Sequence, residues 1–391
     1  MKARVPFVIG GALLYAVGAD GQGIARVVPG LGVDTVSAAW SDLSWHDAVP
    51  GIYRAWSLYL RSDPHLQAPT ALWSASEQHQ WPAYDLTASI AYRGFSATVL
   101  DIRPSRHGST DEYVVKTLFT SASVAGQDLR PVALTRVYAI RRDGRWVFAN
   151  ALPRLTRDWQ RVTVGPITYV LEPGRTLDRT RAQSAVAFAD SLAASFGLPA
   201  IDGLTCYVAS TPEELQRIMG VDWTLGGQGY GYALPWNRMI LSSDAGFGEE
   251  NRHELVHVVL SPLLAERRTH AIINEGIATW LGGSIGRSFS ALIAEYAAFL
   301  GDHPEVTIDS ILETNDPDEG WNPAGAMLAL MVHEHGGTAA LKELLTSGRS
   351  NEDLRSALVR LLGIPWPDIL ARWRERALTG AAASSQPVPA R

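Results

Sequence analysis

The chain has 391 residues and a hydrophobic content of 46%, which is enough for two or three domains with sizeable cores. Its net charge of -6 is mild, and the sequence contains no basic run of the kind that nucleic-acid binding needs, so nucleic acid is excluded as a partner. The single cysteine, Cys206, excludes an internal disulfide framework and is expected on a buried strand.

The first residues of the chain have the order of a secretory signal peptide. The basic residues Lys2 and Arg4 precede an apolar stretch at 5–19, which ends in small residues that suit a cleavage point. We predict that residues 1–19 are a signal peptide and that the protein is exported, either periplasmic or extracellular. The stretch is short for a membrane span, so membrane contact is expected only through an uncleaved N-terminal anchor.

Residues 26–155 show a helix followed by strands. Apolar residues recur at helical spacing over 45–61, and the period then changes to two. The pair Asp143-Gly144 suits the positive φ angles of a tight hairpin turn. Strands are predicted at 83–92, 96–102, 112–121, 132–140 and 146–149. This order resembles the cone-shaped α+β fold of ketosteroid isomerase-like domains, and the predicted fold class of the chain is α+β.

Several aromatic residues in this first segment have two interpretations. In a cone-like domain they would line a ligand pocket, whereas as ordinary core residues they would pack against one another. We favour the core interpretation and assign no role to the segment. These residues are Trp73, Trp81, Tyr84 and Trp146.

A second segment, residues 162–378, follows a predicted linker at 155–161. It begins with alternating strands and helices and ends in a series of helices, after which the Ala/Ser/Pro-rich residues 379–391 are predicted to be a disordered tail. The early elements are predicted as strands at 167–172 and 204–209, a helix at 178–196, and a hairpin formed by 229–233 and 238–241.

Residues 253–257 carry the motif that indicates chemistry: His-Glu-Leu-Val-His. Residues four apart lie on one face of a helix, so His253 and His257 can offer two imidazole nitrogens to one ion. Zinc accepts neutral imidazole, and Glu254 lies near enough to take a proton from a metal-bound water. The alternative is a buried helix with two hydrogen-bonded core histidines and a capping glutamate.

The surroundings of this motif favour a buried helix of a particular class. Glu249 and Glu250 suit the first turn of the helix, and Pro262 is expected to end it. A metzincin would continue the motif with glycine and histidine, but Leu260 and Leu263 stand at those positions and exclude that class.

A third candidate ligand lies in the next predicted helix, in the sequence Asn274-Glu275-Gly276-Ile277-Ala278. The two motifs together resemble the gluzincins, the family of thermolysin and aminopeptidase N, and residues 274–280 look like the aminopeptidase N side. The resemblance implies zinc (Zn²⁺) as cofactor, with His253, His257 and Glu275 as ligands and Glu254 as general base. It also implies a peptide or protein substrate.

The resemblance further implies an edge strand beside the metal helix that binds the substrate backbone. The predicted hairpin precedes the metal helix, which suggests Tyr230, Gly231 and Tyr232 as substrate-binding residues. A purely structural hairpin is the alternative.

The sequence departs from the family in the residues that support catalysis. Asn322 stands where aminopeptidase N types have an oxyanion-stabilising tyrosine. We name His333 as the catalytic candidate in its place, with His335, Tyr230 and Tyr232 as alternatives. The Gly-x-Met-Glu-Asn signature of the exopeptidases is absent, which argues against aminopeptidase specificity. Thr279 stands where thermolysin types have an aspartate that supports a histidine ligand.

Two other functions remain open. Residues 282–286 fit the Gly-x-Ser-x-Gly nucleophile elbow, with Ser284, Asp309 and His333 in the chain order of a serine hydrolase. An elbow requires a strand before the serine, whereas a helix is predicted there. The departures from the family also leave open a non-catalytic envelope or binding protein with a gluzincin-derived fold.

Overall fold

The structure, a computed structural model, describes residues 36–38, 47–61, 70–78, 95–106, 109–120, 131–225, 229–244, 247–263, 269–314 and 321–379. The predicted signal peptide, the strand predicted at 83–92, Trp81, Tyr84 and the tail beyond Thr379 lie outside these residues. The described part contains helices and two sheets with antiparallel strand pairs, so the fold is α+β.

The first sheet has six strands, and five of them follow one another in chain order. Their bounds are β1 Val36–Ala38, β2 Ser96–Pro104, β3 Glu112–Thr120, β4 Pro131–Arg142 and β5 Arg145–Ala149. The first pair, β1–β2, is parallel and the others are antiparallel. The turn before β5 has positive φ at both Asp143 (48°) and Gly144 (75°), as predicted from that residue pair.

Helix α1 (Ala48–Arg61) packs its apolar side on this sheet and forms an aromatic core with it. The ring centroids of Trp56 and Phe148 are 4.8 Å apart, and those of Tyr59 and Trp73 are 5.4 Å apart. Trp73 is fully buried, as the core interpretation requires. Trp146 is half-buried and packs edge-on against Tyr113.

The second sheet has five strands in the order β10-β11-β8-β7-β6. Its three central strands are parallel, and its two outer strands are antiparallel to their neighbours. Cys206 is buried on β8, where a buried strand residue was expected. The bounds are β6 Gln160–Val164, β7 Ile167–Leu171, β8 Leu204–Ala209, β10 Gly231–Leu234 and β11 Met239–Ser243.

Strands from the two predicted segments pair with each other, and the linker predicted between the segments contains part of a strand. Strand β6 begins inside it, and β9 (Val221–Thr224), which follows β8 in the chain, pairs with β4 of the first sheet. Asp222 of β9 accepts a hydrogen bond from Arg136 of β4 (Nε–Oδ1 2.8 Å) and forms an ion pair with Lys116 of β3 (3.0 Å). One hydrophobic cluster contains residues of α1, of the first sheet and of the second sheet.

Helices form most of the second segment and surround a second hydrophobic cluster. Two short helices, α2 (Ala75–Gln78) and α3 (Leu152–Leu155), come earlier in the chain. Helix α10 (Trp321–Leu345) contains a non-helical residue, Gly337, with φ 65° and ψ -161°. The later helices are α4 Arg179–Ser195, α5 Pro212–Met219, α6 Arg252–Leu260, α7 Ala271–Gly282, α8 Phe289–Asp302, α9 Ile308–Thr314, α10 Trp321–Leu345, α11 Asn351–Leu362 and α12 Trp366–Thr379. In the described part of the chain, no helix has both the length and the apolarity that a membrane crossing demands.

Candidate metal centre

Helix α6 carries the His-Glu-x-x-His motif, and Asn251 fixes where it begins. The Asn251 side chain accepts a hydrogen bond from the backbone N–H of Glu254 (3.3 Å) and donates one to the Ser242 hydroxyl on β11 (3.2 Å). It therefore caps the helix and ties its start to the second sheet. Every residue from His253 to Leu260 is buried.

Glu249 and Glu250, expected in the first turn of this helix, precede its cap instead. Glu249 binds the Arg175 guanidinium (3.1 Å), and Glu250 accepts a hydrogen bond from the Ser184 hydroxyl (2.6 Å). The expectation was wrong because both carboxylates have partners on neighbouring elements, and these partners hold the chain outside the helix.

The structure brings the three predicted ligands together. His253 and His257 lie one turn apart on α6, and Glu275 faces them from α7, with one ligand atom of each within 4.8 Å of the others. Glu275 oxygens lie 3.3 Å from His253 Nε2 and 3.6 Å from His257 Nε2. The two imidazole rings are 5.1 Å apart at an angle of 73°. Two imidazoles and a carboxylate thus converge on one point inside the protein.

The hydrogen bond on the far side of His253 sets the orientation of its ring. His253 Nδ1 lies 2.8 Å from the backbone carbonyl oxygen of Gly283. A carbonyl can only accept, so Nδ1 carries a proton and donates it. The lone pair of a neutral His253 is then on Nε2, which faces a Glu275 oxygen that is also an acceptor. Only a proton or a cation between these two atoms makes the contact favourable.

This arrangement shifts the pKa values of His253 and Glu275 in opposite directions. Burial opposes a charge on His253, but its hydrogen bond to Glu275 and the nearby Glu254 and Glu275 charges outweigh burial and raise the pKa of His253 to about 9. Burial also opposes the Glu275 charge, yet the two imidazoles hold the pKa of Glu275 well below its usual range. The cluster therefore holds a carboxylate that has to be neutralised by positive charge.

Glu254 lies beside this cluster in a different environment. Burial raises its pKa, against the lowering effect of His253 and His257, and its carboxylate accepts a hydrogen bond from the backbone N–H of Ala233 on β10. A carboxylate with a raised pKa is better able to hold a transferred proton.

Strand β10 approaches Glu254 through its backbone. A Cβ atom at Gly231 would lie 2.4 Å from Asn251 Nδ2 and 3.1 Å from Glu254 Oε1, so only glycine allows this approach. Tyr230 O accepts a hydrogen bond from Ser243 N (2.9 Å) on β11, so the backbone groups of the next residue, Gly231, face the other edge of β10. In the described part of the sheet, no strand pairs with that edge, and the Ala233 N–H on the same edge donates to Glu254.

The tyrosines predicted to bind substrate differ in position. Successive side chains on a strand point to opposite faces, and Tyr232 packs into the hydrophobic cluster of the first sheet, away from the face of Gly231 and Ala233. Burial raises the pKa of Tyr232 to about 12, and its hydroxyl lies near Gln216 and Gly229. Tyr230 is half-buried. The structure thus places the backbone of β10, rather than the Tyr232 ring, beside Glu254.

His333 is not part of the cluster. Its ring packs against Trp280 with centroids 5.1 Å apart, and its buried Nδ1 has no hydrogen-bond partner among the residues that the structure describes. Burial lowers the pKa of His333. His335 is exposed, and Asn322 is buried in the first turn of α10.

The nucleophile elbow proposed for residues 282–286 does not form. Ser284 follows helix α7 rather than a strand, because Gly283 ends that helix and Ser284 pairs with Arg287 in a tight turn. Asp309 is bound by Arg355 (2.8 Å) and by the Trp366 indole N–H (3.2 Å). Neither the backbone geometry nor these contacts match a serine hydrolase.

Sequence reasoning named the three side chains that the structure brings together, and Glu254 beside them, but it missed the groups that position them. An asparagine before a buried helix is a cap signal, so Asn251 was accessible from sequence. The Gly283 carbonyl and the Ala233 N–H are backbone groups, so no side chain in the sequence indicates which groups they contact.

No protein-family model and no curated protein matches this chain. The resemblance to the gluzincins rests on residues 253–257 and 274–280. To these the structure adds the geometry that brings their side chains to one point.

Proposed function

We propose that this protein is a zinc-dependent peptidase. The observation that carries the proposal is the convergence of His253, His257 and Glu275 on one buried point, with the His253 proton directed away to Gly283. A buried polar cluster of this kind has to be satisfied, and a divalent cation satisfies all three groups at once.

The donor set fits zinc in a catalytic site. Two imidazole nitrogens and one carboxylate are a common ligand set for catalytic zinc, which keeps a fourth position for water or substrate. The Gly283 carbonyl supplies the outer hydrogen bond that a metal-bound histidine normally makes.

Peptide hydrolysis follows from the groups around this point. A metal ion held by His253, His257 and Glu275 would supply a more acidic bound water and a Lewis acid for the scissile carbonyl. Glu254 takes the proton from the attacking water and passes it to the leaving amine nitrogen.

The unpaired edge of β10 gives the substrate a place to bind. Gly231 directs its N–H and C=O towards this edge, so an extended peptide would add to the sheet as a further strand next to Glu254. In the same proposal the second segment is a gluzincin-like domain with a helical C-terminal lobe, the first is a cone-like domain, and the protein is exported.

A second candidate function is a non-catalytic envelope or binding protein that retains the metal site. It is favoured by the position of His333, which packs on Trp280 and not in the cluster, so none of the histidines named for the oxyanion lies with the ligands.

The proposal is tested with the full chain by metal analysis and peptide hydrolysis. We expect about one zinc per chain, loss of hydrolysis with a chelator, and recovery when zinc is returned. Glu254→Gln should keep the zinc and lose at least about 100-fold in rate, the usual contribution of a general base. Glu250→Gln, which changes a carboxylate bound to Ser184 and Arg252, is the matched control.

The possible outcomes separate the candidate functions. Zinc without hydrolysis of any peptide in a broad library would favour the binding protein. Hydrolysis that survives Glu254→Gln but is lost in Ser284→Ala would return the assignment to a serine hydrolase. A protein without bound metal that hydrolyses peptides at an unchanged rate would contradict the zinc mechanism.

A further inference from the structure

The stretch that resembled a nucleophile elbow forms a tight turn directly behind the first histidine ligand. Ser284 and Arg287 exchange two backbone hydrogen bonds of 3.0 Å each, and the two residues between them, Ile285 (φ 49°) and Gly286 (φ 66°), are both left-handed. This is the geometry of a two-residue hairpin loop. A β-branched residue such as Ile285 rarely adopts a positive φ, so the turn is held against a conformational cost.

The turn is attached to helix α7 through glycines that allow a close approach to α6. Gly283 has φ 76° and ψ -167°, and a Cβ atom there would lie 2.2 Å from the Arg287 carbonyl oxygen. A Cβ atom at Gly282 would lie 2.6 Å from the backbone nitrogen of His253. Larger residues would push the turn away from the histidine.

The consequence of this approach is the hydrogen bond between the Gly283 carbonyl and His253 Nδ1 (2.8 Å). Within the 282–286 stretch, the group that contacts the proposed metal centre is a backbone oxygen, and no contact from the Ser284 hydroxyl to the cluster is present among the described residues.

We infer that Gly283 is a positioning residue for zinc, acting through His253. Its carbonyl fixes the proton of His253 on Nδ1 and the ring orientation, so that Nε2 faces Glu275 and would offer its lone pair to an ion held there. The inference rests on the proposed zinc function and deepens it. It assigns the outer hydrogen bond of this ligand to a neutral backbone acceptor, which gives the ligand less electron density than a carboxylate would.

The first test measures zinc affinity by competition with a chelator. Gly283→Ala should weaken zinc binding about 10- to 100-fold, the usual effect of losing an outer partner of a metal ligand. Gly363→Ala is the matched control, because Gly363 also ends a helix at a positive φ (67°) but lies after α11, outside the cluster. It should change zinc affinity less than about threefold.

The second test observes the hydrogen bond of His253 directly, first in the wild-type protein and then in the Gly283→Ala variant. In the zinc-loaded wild-type protein, nitrogen-15 NMR should show His253 protonated at Nδ1, with a proton protected from exchange with solvent. In Gly283→Ala this proton should exchange faster or be lost, and the absorption spectrum of the cobalt-substituted protein should change. A purely structural role for the glycine would lower thermal stability and leave the tautomer signal intact.

The outcomes are distinguishable from those of the proposed function. A wild-type protein that binds no zinc ends both proposals. A wild-type protein that binds zinc but shows no Nδ1 proton on His253 ends the inference alone, even where Gly283→Ala does not fold. Unchanged zinc affinity and an unchanged tautomer signal in a folded Gly283→Ala protein also overturn it.

Discussion

Two carboxylates with little solvent exposure lie close to helix α6, and different groups neutralise their charges. The Glu249 side chain, 1% exposed, lies just before the helix and has Arg175 as its counterion at 3.1 Å. It also accepts a hydrogen bond from Asp178 N (3.2 Å). Glu275 faces the helix from α7, and its ion-pair partners among the described residues are two imidazole nitrogens, at 3.3 and 3.6 Å.

The difference distinguishes a structural ion pair from a ligand set. A buried carboxylate with a guanidinium partner needs no further counterion, since a permanent cation neutralises its charge. The charge of a buried carboxylate between two imidazoles is neutralised only when protons or a metal ion supply positive charge. Both acids lie close to α6, and they differ in the chemistry of their partners: a guanidinium for Glu249 and two imidazoles for Glu275.

The largest expected effect is on Glu275. Glu275→Ala should remove nearly all bound zinc while the protein stays folded, because two remaining imidazoles hold the ion poorly. Glu275→Asp, one methylene shorter, should retain part of the metal. The measurement is zinc per chain alongside the circular dichroism spectrum. Full zinc occupancy in the alanine variant would falsify the assignment of this ligand.

Glu249 should show the reverse behaviour. Glu249→Ala removes one partner of a buried ion pair, and we expect a loss of about 3 kcal/mol in the free energy of unfolding. The loss is at the low end of such changes because Arg175 keeps Asp244 at 2.6 Å. Zinc per chain should be unchanged. Denaturant unfolding and metal analysis check this, and loss of zinc without loss of stability would reverse the comparison.

The smallest effect concerns His270, a third buried group whose partners all belong to the chain. It caps α7: Nδ1 accepts a hydrogen bond from Ile272 N (3.3 Å), and Nε2 donates to Asn351 Oδ1 (3.0 Å). Burial lowers its pKa, against the raising effects of Asn351 and of the Asp353 charge.

The lowered pKa of His270 determines how this residue makes the stability of the fold depend on pH. Because the folded pKa is lower than the unfolded value of about 6.5, the unfolded chain binds the proton first as the pH falls. The stability contributed by neutral His270 is full above about pH 6.5 and is lost as the pH falls through the folded pKa. His270→Asn, which keeps a capping side chain, should lose less melting temperature between pH 7.5 and 5.5 than the wild type. An equal or steeper loss would contradict the prediction.

Local pattern and motif were sufficient to predict much of the site. The spacing of His253 and His257 placed both on one helical face, and the second motif placed Glu275 on the following helix; these are short-range regularities. The hairpin turn at Asp143-Gly144 was predictable for the same reason, since the residue types dictate its φ angles.

The rest depends on contacts between distant parts of the chain. The start of α6 was mispredicted because Glu249 and Glu250 bind Arg175 and Ser184, which no local pattern indicates. The role of Gly283 is carried by a backbone atom. The pairing of β9 with β4 joins strands that the sequence assigned to different segments.

That last pairing has a consequence for how the chain is made. Arg136 and Asp222, which join β4 to β9, are 86 residues apart in sequence. During synthesis the first half of β4 therefore keeps one open edge until β9 has emerged, and an open strand edge favours pairing with other chains. Closing so long a loop also carries an entropic cost that slows this step. The first sheet is thus completed late. A chain that ended before Val221 would keep the edge of β4 open and would remain prone to aggregate through it.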